Sequence, residues 1–309
     1  MILNCGEALI DMVAGEMSDG QTGFVPHSGG AVMNTAVALG RLGVPSSFFA
    51  GLSSDLFGAQ LKAHLNASHV SFDLCPISDE PTTLAFVQLE NGQAKYAFFD
   101  ENTALRNLAL ADIPTIPTGT KALFFGGISL AYGPCATTYE QMLVDVSSDL
   151  VTMLDPNIRP SFIRDETAFR ARLTRMIGAS DILKLSDEDL EWLEGEGSIA
   201  DLAKGLLSKG VKLVLITQGG DGATAYHADY AVHVPTIPVD LSNSDTIGAG
   251  DTFNAGILAS LHENNLLSKG TIAGLSKADA EAALIYGMKA ARVTVSRKGA
   301  NPPWKHELS

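Results

Sequence analysis

The chain has 309 residues, of which 21 are basic and 35 acidic, so its formal net charge is −14. Hydrophobic residues make up 46% and charged residues 18%, a balance that predicts a globular protein and excludes disordered, collagen-like and low-complexity classes. An acidic chain without a run of Lys and Arg repels phosphate backbones and anionic lipids. We therefore expect neither nucleic acid nor a membrane as a partner.

The cysteines indicate the redox environment. Cys5, Cys75 and Cys135 are an odd number, lie far apart and include no CxxC pair, which argues against a disulfide framework and a structural zinc site. The N-terminal residues do not resemble a secretory signal, so we expect a cytoplasmic location. The apolar stretch from Ala122 to Tyr139 is interrupted by Gly and Pro, which favours a buried strand and turn over a membrane span.

Short apolar runs typical of buried strands alternate with segments of helical spacing. The predicted strands are Ile2 to Cys5, Phe48 to Leu52, Ala122 to Phe125, Val151 to Leu154, Ile182 to Leu185 and Lys212 to Thr217. Two helices are predicted in the final third, at Gly250 to Glu263 and Lys277 to about Val295. This alternation predicts an α/β fold whose mostly parallel sheet is covered by helices on both faces.

One section departs from the alternation. Two strand-like segments, Thr82 to Glu90 and Gln93 to Phe99, are joined by Asn91-Gly92, a dipeptide suited to a tight hairpin turn. They predict an antiparallel flap beside the main sheet. Because no repeat or linker divides the chain, we expect one domain over residues 1–309 with this flap attached.

Two common glycine-rich nucleotide motifs are excluded. The sequence contains no Gly-Lys dipeptide, so it has no P-loop. The segment Gly220 to Ala225 matches GxGxxA after a strand, but Tyr226 to Val234 alternates like a further strand. A dinucleotide-binding fingerprint requires a helix at that place.

The segment Asp245-Thr-Ile-Gly-Ala-Gly-Asp-Thr-Phe253 leads directly into a helical run. Gly248, Ala249 and Gly250 leave the backbone amides uncrowded at a helix N-terminus, which attracts a phosphate. A carboxylate beside a bound phosphate costs energy unless it has a chemical task. Asp251 is therefore predicted to be a general base that takes the proton of an attacking hydroxyl. The alternative is that Asp251 merely caps the helix.

This segment matches every position of DTxGAGD[ST]F, the C-terminal signature of the PfkB, or ribokinase-like, carbohydrate kinases. The segment Ser28 to Ala36 resembles the family's N-terminal signature, a Gly-Gly followed by an Asn and a helix. Residues 155–160, Asp-Pro-Asn-Ile-Arg-Pro, resemble a segment typical of fructokinases. The resemblance implies a ribokinase-like, doubly wound sheet with a small β-sheet lid at roughly residues 12–27 and 82–100. It also implies an ATP-dependent sugar kinase that uses Mg²⁺.

The resemblance further implies a set of site residues. Catalysis is assigned to Asp251 with Gly248, Ala249 and Gly250. The substrate-binding residues are Asp11, Gly29, Gly30, Asn34, Phe98 and Arg159. The nucleotide-binding residues are Lys184, Ser186, Thr217, Gly219, Gly222, Gly250 and Met288. A K⁺ site is implied at the backbone carbonyls of Asp245 and Ile247, beside the turn from Arg297 to Gly299.

Each of the sugar contacts also has an ordinary interpretation. Asp11 follows the first predicted strand, where an Asp is a common loop residue. Gly29 and Gly30 suit a turn that enters a helix. Arg159 could be a surface ion-pair partner.

The chain departs from the family pattern at two nucleotide positions. The usual NxxE motif, which organises the magnesium shell, is replaced by Ser186-Asp-Glu-Asp189, and Asp189 is predicted to hold magnesium through a water. Met288 takes the place of an Asn near the adenine. A thioether packs on a purine without reading it, so relaxed base selectivity is expected.

A third departure concerns the substrate. Relatives that phosphorylate 2-keto-3-deoxygluconate tend to carry an Arg at the end of the lid, where this chain has Asp100 and Glu101. These acids predict repulsion of an anionic sugar, although Arg106 could substitute for the missing base. Fructose is the first choice. The alternatives are 2-keto-3-deoxygluconate, another sugar or nucleoside, or a catalytically silent regulator, and a homodimer through the lid is possible.

Overall fold

The computed structural model describes residues 1–90, 93–239 and 246–308, and for residues 87–90 and 93–96 it describes the backbone only. The predicted turn at Asn91-Gly92 and the predicted potassium ligand Asp245 lie outside the described residues. In chain order the strands are β1 (Ile2–Cys5), β2 (Leu9–Glu16), β3 (Thr22–Gly29), β4 (Ser46–Phe49), β5 (Leu52–Ser53), β6 (Val70–Ser71), β7 (Ile77–Ser78), β8 (Leu84–Glu90), β9 (Gln93–Phe99), β10 (Ala122–Gly126), β11 (Val151–Asp155), β12 (Ile182–Ser186), β13 (Leu213–Thr217), β14 (Ala223–Tyr226) and β15 (Ala231–Val234).

Helices occupy most of the connections between the strands. In chain order they are α1 (Ala31–Arg41), α2 (Leu56–Ala67), α3 (Gly133–Val146), α4 (Glu166–Gly178), α5 (Asp187–Glu194), α6 (Ile199–Ser208), α7 (Ala249–Glu263), α8 (Lys269–Ala273) and α9 (Lys277–Val295). No helix in the described ranges has both the length and the apolar character needed to cross a bilayer.

The large sheet has the strand order β15-β14-β13-β12-β11-β10-β1-β4-β6. Strands β13, β12, β11, β10, β1, β4 and β6 run parallel, and β14 and β15 add antiparallel pairs at one edge. The predicted α/β class with a mostly parallel sheet is confirmed. The predicted strand from Tyr226 to Val234 is present only in its second half, because β14 ends at Tyr226 and β15 begins at Ala231. Strands and not a helix nevertheless stand where a dinucleotide-binding fingerprint needs a helix.

Five of the six predicted strands agree with the structure within one residue at each end, and one of these, β1, agrees at both ends. The predicted strand from Phe48 to Leu52 is wrong, because β4 ends at Phe49 and β5 begins at Leu52. Gly51 lies between them, where an added Cβ would meet the carbonyl oxygen of Ala104 at 2.0 Å. This close approach of two backbones separates the apolar run into two strands.

The strands β3-β2-β8-β9 form a second, smaller sheet. Strands β8 and β9 are antiparallel, as the sequence predicts, whereas β2 pairs with β8 in parallel. The small sheet is therefore mixed. The interpretation of Asp11 as a loop residue is wrong, because Asp11 lies inside β2, where it pairs with His27 and Ala85.

Apolar side chains cover both faces of the large sheet. On one face, side chains such as Ile2 and Phe124 pack against α1, α2, α7, α8 and α9. On the other, Leu3 and Phe125 pack against α3, α4, α5 and α6. Consecutive residues of each strand point to opposite faces, so both faces of the strands are apolar. The three cysteines are buried and free.

Helices α7 and α9 cross at two glycines. A Cβ added to Gly256 would lie 2.6 Å from the Cα of Gly287. Because the obstacle is backbone, the two helices would have to move apart. We expect Gly256→Ala to lower the free energy of unfolding by about 1–3 kcal/mol, measured by denaturant unfolding.

The matched control is Gly205→Ala in α6. A Cβ at Gly205 would meet no atom within 4 Å, and alanine is the better helix former by about 1 kcal/mol. This variant should be unchanged or more stable. An equal loss of stability in both variants would contradict the packing role of Gly256.

Candidate active site

A cavity of about 330 Å³ lies where the carboxyl ends of several parallel strands meet the beginnings of α1 and α7. Ligands of open α/β sheets bind at this edge because the loops that follow the strands gather there. The cavity is lined by Glu7, Leu9, Asp11, Gly30, Ala31, Asn34, Phe98, Ile128, Asn157, Arg159, Lys184, Thr246, Ile247, Gly248, Gly250 and Asp251. The sequence signatures from the two ends of the chain therefore meet in one site.

Asp251 is the third residue of α7. The N-cap is Gly248, whose φ of 75° is left-handed, and glycine adopts this conformation without strain. The helix-cap interpretation of Asp251 is wrong, because its carboxylate accepts a hydrogen bond from Asn34 Nδ2 at 2.9 Å instead. Thr35 Oγ1 also donates to the Asp251 carbonyl at 3.2 Å. These bonds join α1 to the first turn of α7.

Burial raises the pKa of Asp251 to about 7. The hydrogen bond from Asn34 and the charge of Lys184 lower this pKa, whereas the charges of Asp155 and Glu7 raise it. Desolvation dominates because Asp251 is only 8% exposed. A carboxylate with a pKa near neutrality is suited to accept a proton and to release it again.

Asp11 and Gly30 border another part of the cavity, and Gly29 lies directly beside Asp11. A Cβ on Gly29 would lie 2.1 Å from Asp11 Oδ2, and one on Gly30 would lie 2.6 Å from the Glu7 carbonyl oxygen. The predicted turn into a helix is present, since Gly30 caps α1 with a φ of 107°. Gly30 lines the cavity, whereas Gly29 gives Asp11 its space. Burial, aided by the charge of Glu7, raises the pKa of Asp11 to about 6.

Glu7 is a site residue that the sequence analysis missed. It is 2% exposed and lines the cavity. Its Oε1 accepts from the Ala31 amide at 2.9 Å and its Oε2 from the Ser129 amide at 3.4 Å. Glu7 thereby holds the N-terminus of α1, where a negative charge is favourable, beside the loop that follows β10. Only its position directly after β1 could have drawn attention to it.

A buried polar network lies next to α7. Lys184 Nζ donates to Asp155 Oδ2 at 3.0 Å, and Asn254 Nδ2 donates to the same oxygen at 2.7 Å. A Cβ on Gly250 would lie 3.3 Å from Lys184 Nζ. Asp155 and Asn254 were not predicted as site residues. Asp155 nevertheless begins the segment 155–160, and Asn254 directly follows the segment 245–253. The network places an ammonium group directly below the first turn of α7.

Lys184 stays charged despite its burial. Burial acts to lower its pKa, but the carboxylates of Asp155, Asp189 and Asp251 outweigh this effect and hold the pKa above its ordinary value. The carboxyl groups of Asp155, Asp189 and Asp251 all act on this one ammonium group, so their ionisation gives the region an excess of negative charge. A further cation would be stabilised there.

Ser186 and Asp189 form the capping box of α5. Ser186 Oγ accepts from the Asp189 amide at 3.0 Å, and Asp189 Oδ2 accepts from the Ser186 amide at 3.3 Å. Asp189 Oδ1 accepts from the Ile158 amide at 3.0 Å. Both residues therefore organise the loops beside Asp155 and do not line the cavity. Their predicted roles with nucleotide and magnesium stay predictions.

Arg159 and Phe98 both line the cavity, and they come from different sheets. Arg159 follows β11, and its Nη1 donates to the Ile158 carbonyl at 3.0 Å. Among the described residues Arg159 has no acidic partner within ion-pair distance, so the structure does not support its interpretation as a surface ion pair. Phe98 comes from β9 of the small sheet.

The other predicted nucleotide residues lie outside the cavity lining. Thr217 ends β13 and pairs in register with Ser186. Gly219 and Gly222 follow it, with φ values of 51° and 106°, and an added Cβ on Gly219 would meet no atom of the described residues within 4 Å. Met288 is buried in the apolar core between α9 and the sheet. Ile247, the described half of the predicted potassium pair, lines the cavity.

The predicted repulsion of sugar acids by Asp100 and Glu101 is wrong in its geometry. Neither residue lines the cavity. Asp100 is buried against Arg106 Nη1 at 3.1 Å, and Glu101 is exposed and accepts from Arg164 Nη1 at 3.1 Å. Because Arg106 forms an ion pair with Asp100, it does not substitute for the Arg that the relatives carry at the end of the lid.

The raised pKa of Asp251 has a consequence for stability. The folded state holds a proton between about pH 4 and 7 that the unfolded chain releases, so ionisation of Asp251 destabilises the fold increasingly as pH rises through this window. We expect the melting temperature of Asp251→Asn to exceed that of the wild type, and the difference to grow from pH 5 to pH 8. Calorimetry checks this, with the exposed Asp145→Asn in α3 as a control whose difference stays constant. A difference that shrinks with rising pH would contradict the assigned shift.

Known proteins with similar sequences belong to the family that the sequence signatures indicate. The family model described as pfkB family carbohydrate kinase matches residues 2–307. A fructokinase of Rhizobium leguminosarum bv. trifolii is 50% identical over 277 residues, which cover 90% of this chain and 84% of the relative. The resemblance of the sequence to this family, and within it to fructokinases, is confirmed.

Solved structures of fructokinases have the same fold as this chain. A double-mutant fructokinase from Vibrio cholerae O395, bound to fructose, ADP and a potassium ion, has a TM-score of 0.85 at 25% identity and covers 97% of this chain and 93% of its own. The same organism's fructokinase bound to fructose, ADP and calcium has a TM-score of 0.83 at 27% identity, with 97% and 94% covered. Because the family model spans nearly the whole sequence and the site unites both signatures, this chain belongs to the pfkB family of carbohydrate kinases.

Proposed function

We propose that the protein transfers the γ-phosphoryl group of ATP to a hydroxyl of fructose, with Asp251 as the general base. The observation that carries the proposal is the buried Asp251 carboxylate, whose pKa is about 7, at the N-terminus of α7 and inside the cavity. The 50% identity to a fructokinase supports fructose as the acceptor. A silent regulator would have no need for an ionisable carboxylate in a phosphate site.

In the proposed reaction the sugar hydroxyl donates its proton to Asp251 as its oxygen bonds to the γ-phosphorus and the bond to ADP breaks. Asn34 holds the carboxylate by its 2.9 Å hydrogen bond. The amides of the first turn of α7, after Gly248, stabilise charge on the transferring group. Lys184 and Arg159 add positive charge at the same cavity. Asp11 would accept hydrogen bonds from other sugar hydroxyls.

Magnesium fits the excess of negative charge around Lys184, because carboxylate oxygens are its preferred ligands. Asp155 and, through a water, Asp189 would hold it. When bound, the ion neutralises charge on the phosphates. The three carboxyl groups around the single ammonium group of Lys184 are the feature of this chain that supports a magnesium site.

We also propose a potassium site at Ile247 and Asp245, beside the turn from Arg297 to Gly299. Gly299 in this turn has a φ of 67°, and its carbonyl accepts from the Asn301 amide. A potassium ion is present in one of the similar fructokinase structures. Its field would strengthen phosphate binding at Gly248.

The adenosine of ATP is proposed to lie over Thr217, Gly219 and Gly222. Gly219 leaves open space above the backbone, as close approach of a nucleotide requires. These residues follow β13, next to Ser186 at the end of β12. Met288, which is buried, would at most contact the purine from below.

The small sheet is proposed to act as a lid, and its outer face as a dimer contact. Phe24, Phe86 and Phe99 form a row across the sheet, with ring centroids 5.0 and 5.4 Å apart. Phe99 is 60% exposed and Phe24 38% exposed. A second copy of the sheet would cover this apolar row. We further propose that the protein acts in the cytoplasm, where ATP and reduced cysteines are found.

Loss of the base tests the mechanism. We expect Asp251→Asn to lower kcat by about 10²-fold or more, with little change in binding of ATP and fructose, because only the proton acceptor is removed. In the wild type, kcat/KM should fall as pH decreases through about 7, since Asp251 must be ionised in the free enzyme. Steady-state ADP release measures both effects. Near wild-type turnover by the variant would refute the role of Asp251.

The choice of fructose as the acceptor can be tested with a sugar that carries a carboxylate. Glu7 and Asp11 place carboxylates in the sugar part of the cavity, and like charges a few Å apart repel by up to several kcal/mol where the dielectric is reduced. We therefore expect a higher kcat/KM for fructose than for 2-keto-3-deoxygluconate. Glu101→Gln should leave the ratio of kcat/KM for the two sugars unchanged, because Glu101 lies outside the cavity and loss of its pair with Arg164 affects both sugars alike. Preference of the wild type for the sugar acid would overturn the fructokinase assignment and leave the kinase assignment intact.

A further inference from the structure

The end of strand β9 packs against the loop that follows β11. This loop comprises residues 156–165 and leads into α4. Arg159, in its first half, borders the cavity. Phe162 and Arg164, in its second half, both contact the end of β9 and the residues after it. One loop therefore contacts both the cavity and the small sheet.

The first contact is aromatic. Phe162 is 9% exposed, and its ring centroid lies 4.6 Å from that of Phe98 and 4.9 Å from that of Tyr132. Phe98 also lines the cavity. The Phe162 ring thereby connects one wall of the cavity to the loop that carries Arg159.

The second contact is ionic and lies two residues further along each segment. Arg164 Nη1 donates to Glu101 Oε1 at 3.1 Å, and Arg164 Nη2 lies 3.8 Å from Asp100 Oδ1. The Arg164 guanidinium also lies 4.8 Å from the ring centroid of Tyr132. Asp100 is in turn fixed by Arg106 at 3.1 Å. Phe98 and Asp100 of one segment thus face Phe162 and Arg164 of the other.

Half-exposed ion pairs such as that of Arg164 contribute little to stability. The Arg164 side chain is 53% exposed and that of Glu101 72% exposed. Nevertheless, Arg164 contacts three groups at the boundary between the small sheet and the loop. Its effect should therefore be on the relative position of the two segments, and not on the stability of the fold.

We propose that Phe162 and Arg164 are positioning residues that dock β9 on loop 156–165, so that Phe98 encloses the sugar whenever Arg159 faces the same cavity. This inference rests on the proposed function. Without the docking, the sugar would be less enclosed and water could reach the γ-phosphorus, so that ATP and water give ADP and phosphate. Exclusion of water is a recognised role of a lid in phosphoryl transfer.

The test is Arg164→Gln in the full-length protein. We expect KM for fructose to rise about tenfold, with a smaller change in kcat. KM for ATP should stay within about twofold of the wild-type value, and the melting temperature within about 2 °C. ADP formed per sugar phosphate formed should exceed one. A merely structural role would not change this ratio.

The matched control is Arg175→Gln. Arg175 lies on α4, is 57% exposed and pairs with Glu140. Among the described residues it has no ion pair or hydrogen bond with the small sheet or with the residues that line the cavity. It should behave as the wild type. Suppose that the wild type phosphorylates fructose, but that Arg164→Gln has the same KM for fructose and the same ratio of ADP to sugar phosphate as this control. The positioning role is then overturned and the proposed function stands. A wild type that phosphorylates no sugar overturns both.

A second variant tests the aromatic contact. Phe162→Leu keeps an apolar side chain but removes the ring contacts to Phe98 and Tyr132. It should raise KM for fructose and the ratio of ADP to sugar phosphate in the same direction as Arg164→Gln. A ratio of one in both variants overturns the proposal.

Discussion

The site depends on one buried carboxylate and the amide that holds it. Asp251 sits at the start of α7, removed from water, and its acceptor oxygen is fixed 2.9 Å from Asn34 Nδ2 of α1. Burial raises its pKa to about 7, so the group is ionised at neutral pH only at a cost to the folded state. In the proposed function this cost is offset, because a base with such a pKa is suited to accept the proton of a hydroxyl.

The surrounding charges follow from the same constraint. A buried Asp251 next to the buried Asp155 would be unfavourable without a cation, and Lys184 supplies it through a 3.0 Å bond to Asp155. The strands β11 and β12 bring these two side chains together because parallel neighbours end at the same edge of the sheet. Helix α7 then closes the network through Asn254. The sheet, the helix start and the charge balance are thus parts of one arrangement.

The preference proposed for a neutral sugar has a different basis from the one that the lid sequence suggests. Asp100 and Glu101 are engaged with arginines away from the cavity, whereas Glu7 and Asp11 border it. In the proposed function the expected preference is the same, but it is assigned to other carboxylates. The lid segment instead supplies Phe98, whose ring packs on Phe162 and makes that side of the cavity apolar.

The sequence by itself determined the elements and the chemistry that rest on local patterns. The strands β1 and β10 to β13 and the helix after Gly248 follow from periodicity, and the proposal of Asp251 as the proton acceptor follows from a contiguous signature. Only the tertiary structure decided which residues meet across long sequence separations. Glu7 with Ala31 and Ser129, Asn254 with Asp155, and Arg164 with Glu101 come from segments with no shared motif. The split of the apolar run at Gly51 was decided in the same way, by the Ala104 backbone. Local patterns record backbone preference and burial, whereas charge pairing and close approach depend on where the fold places distant segments.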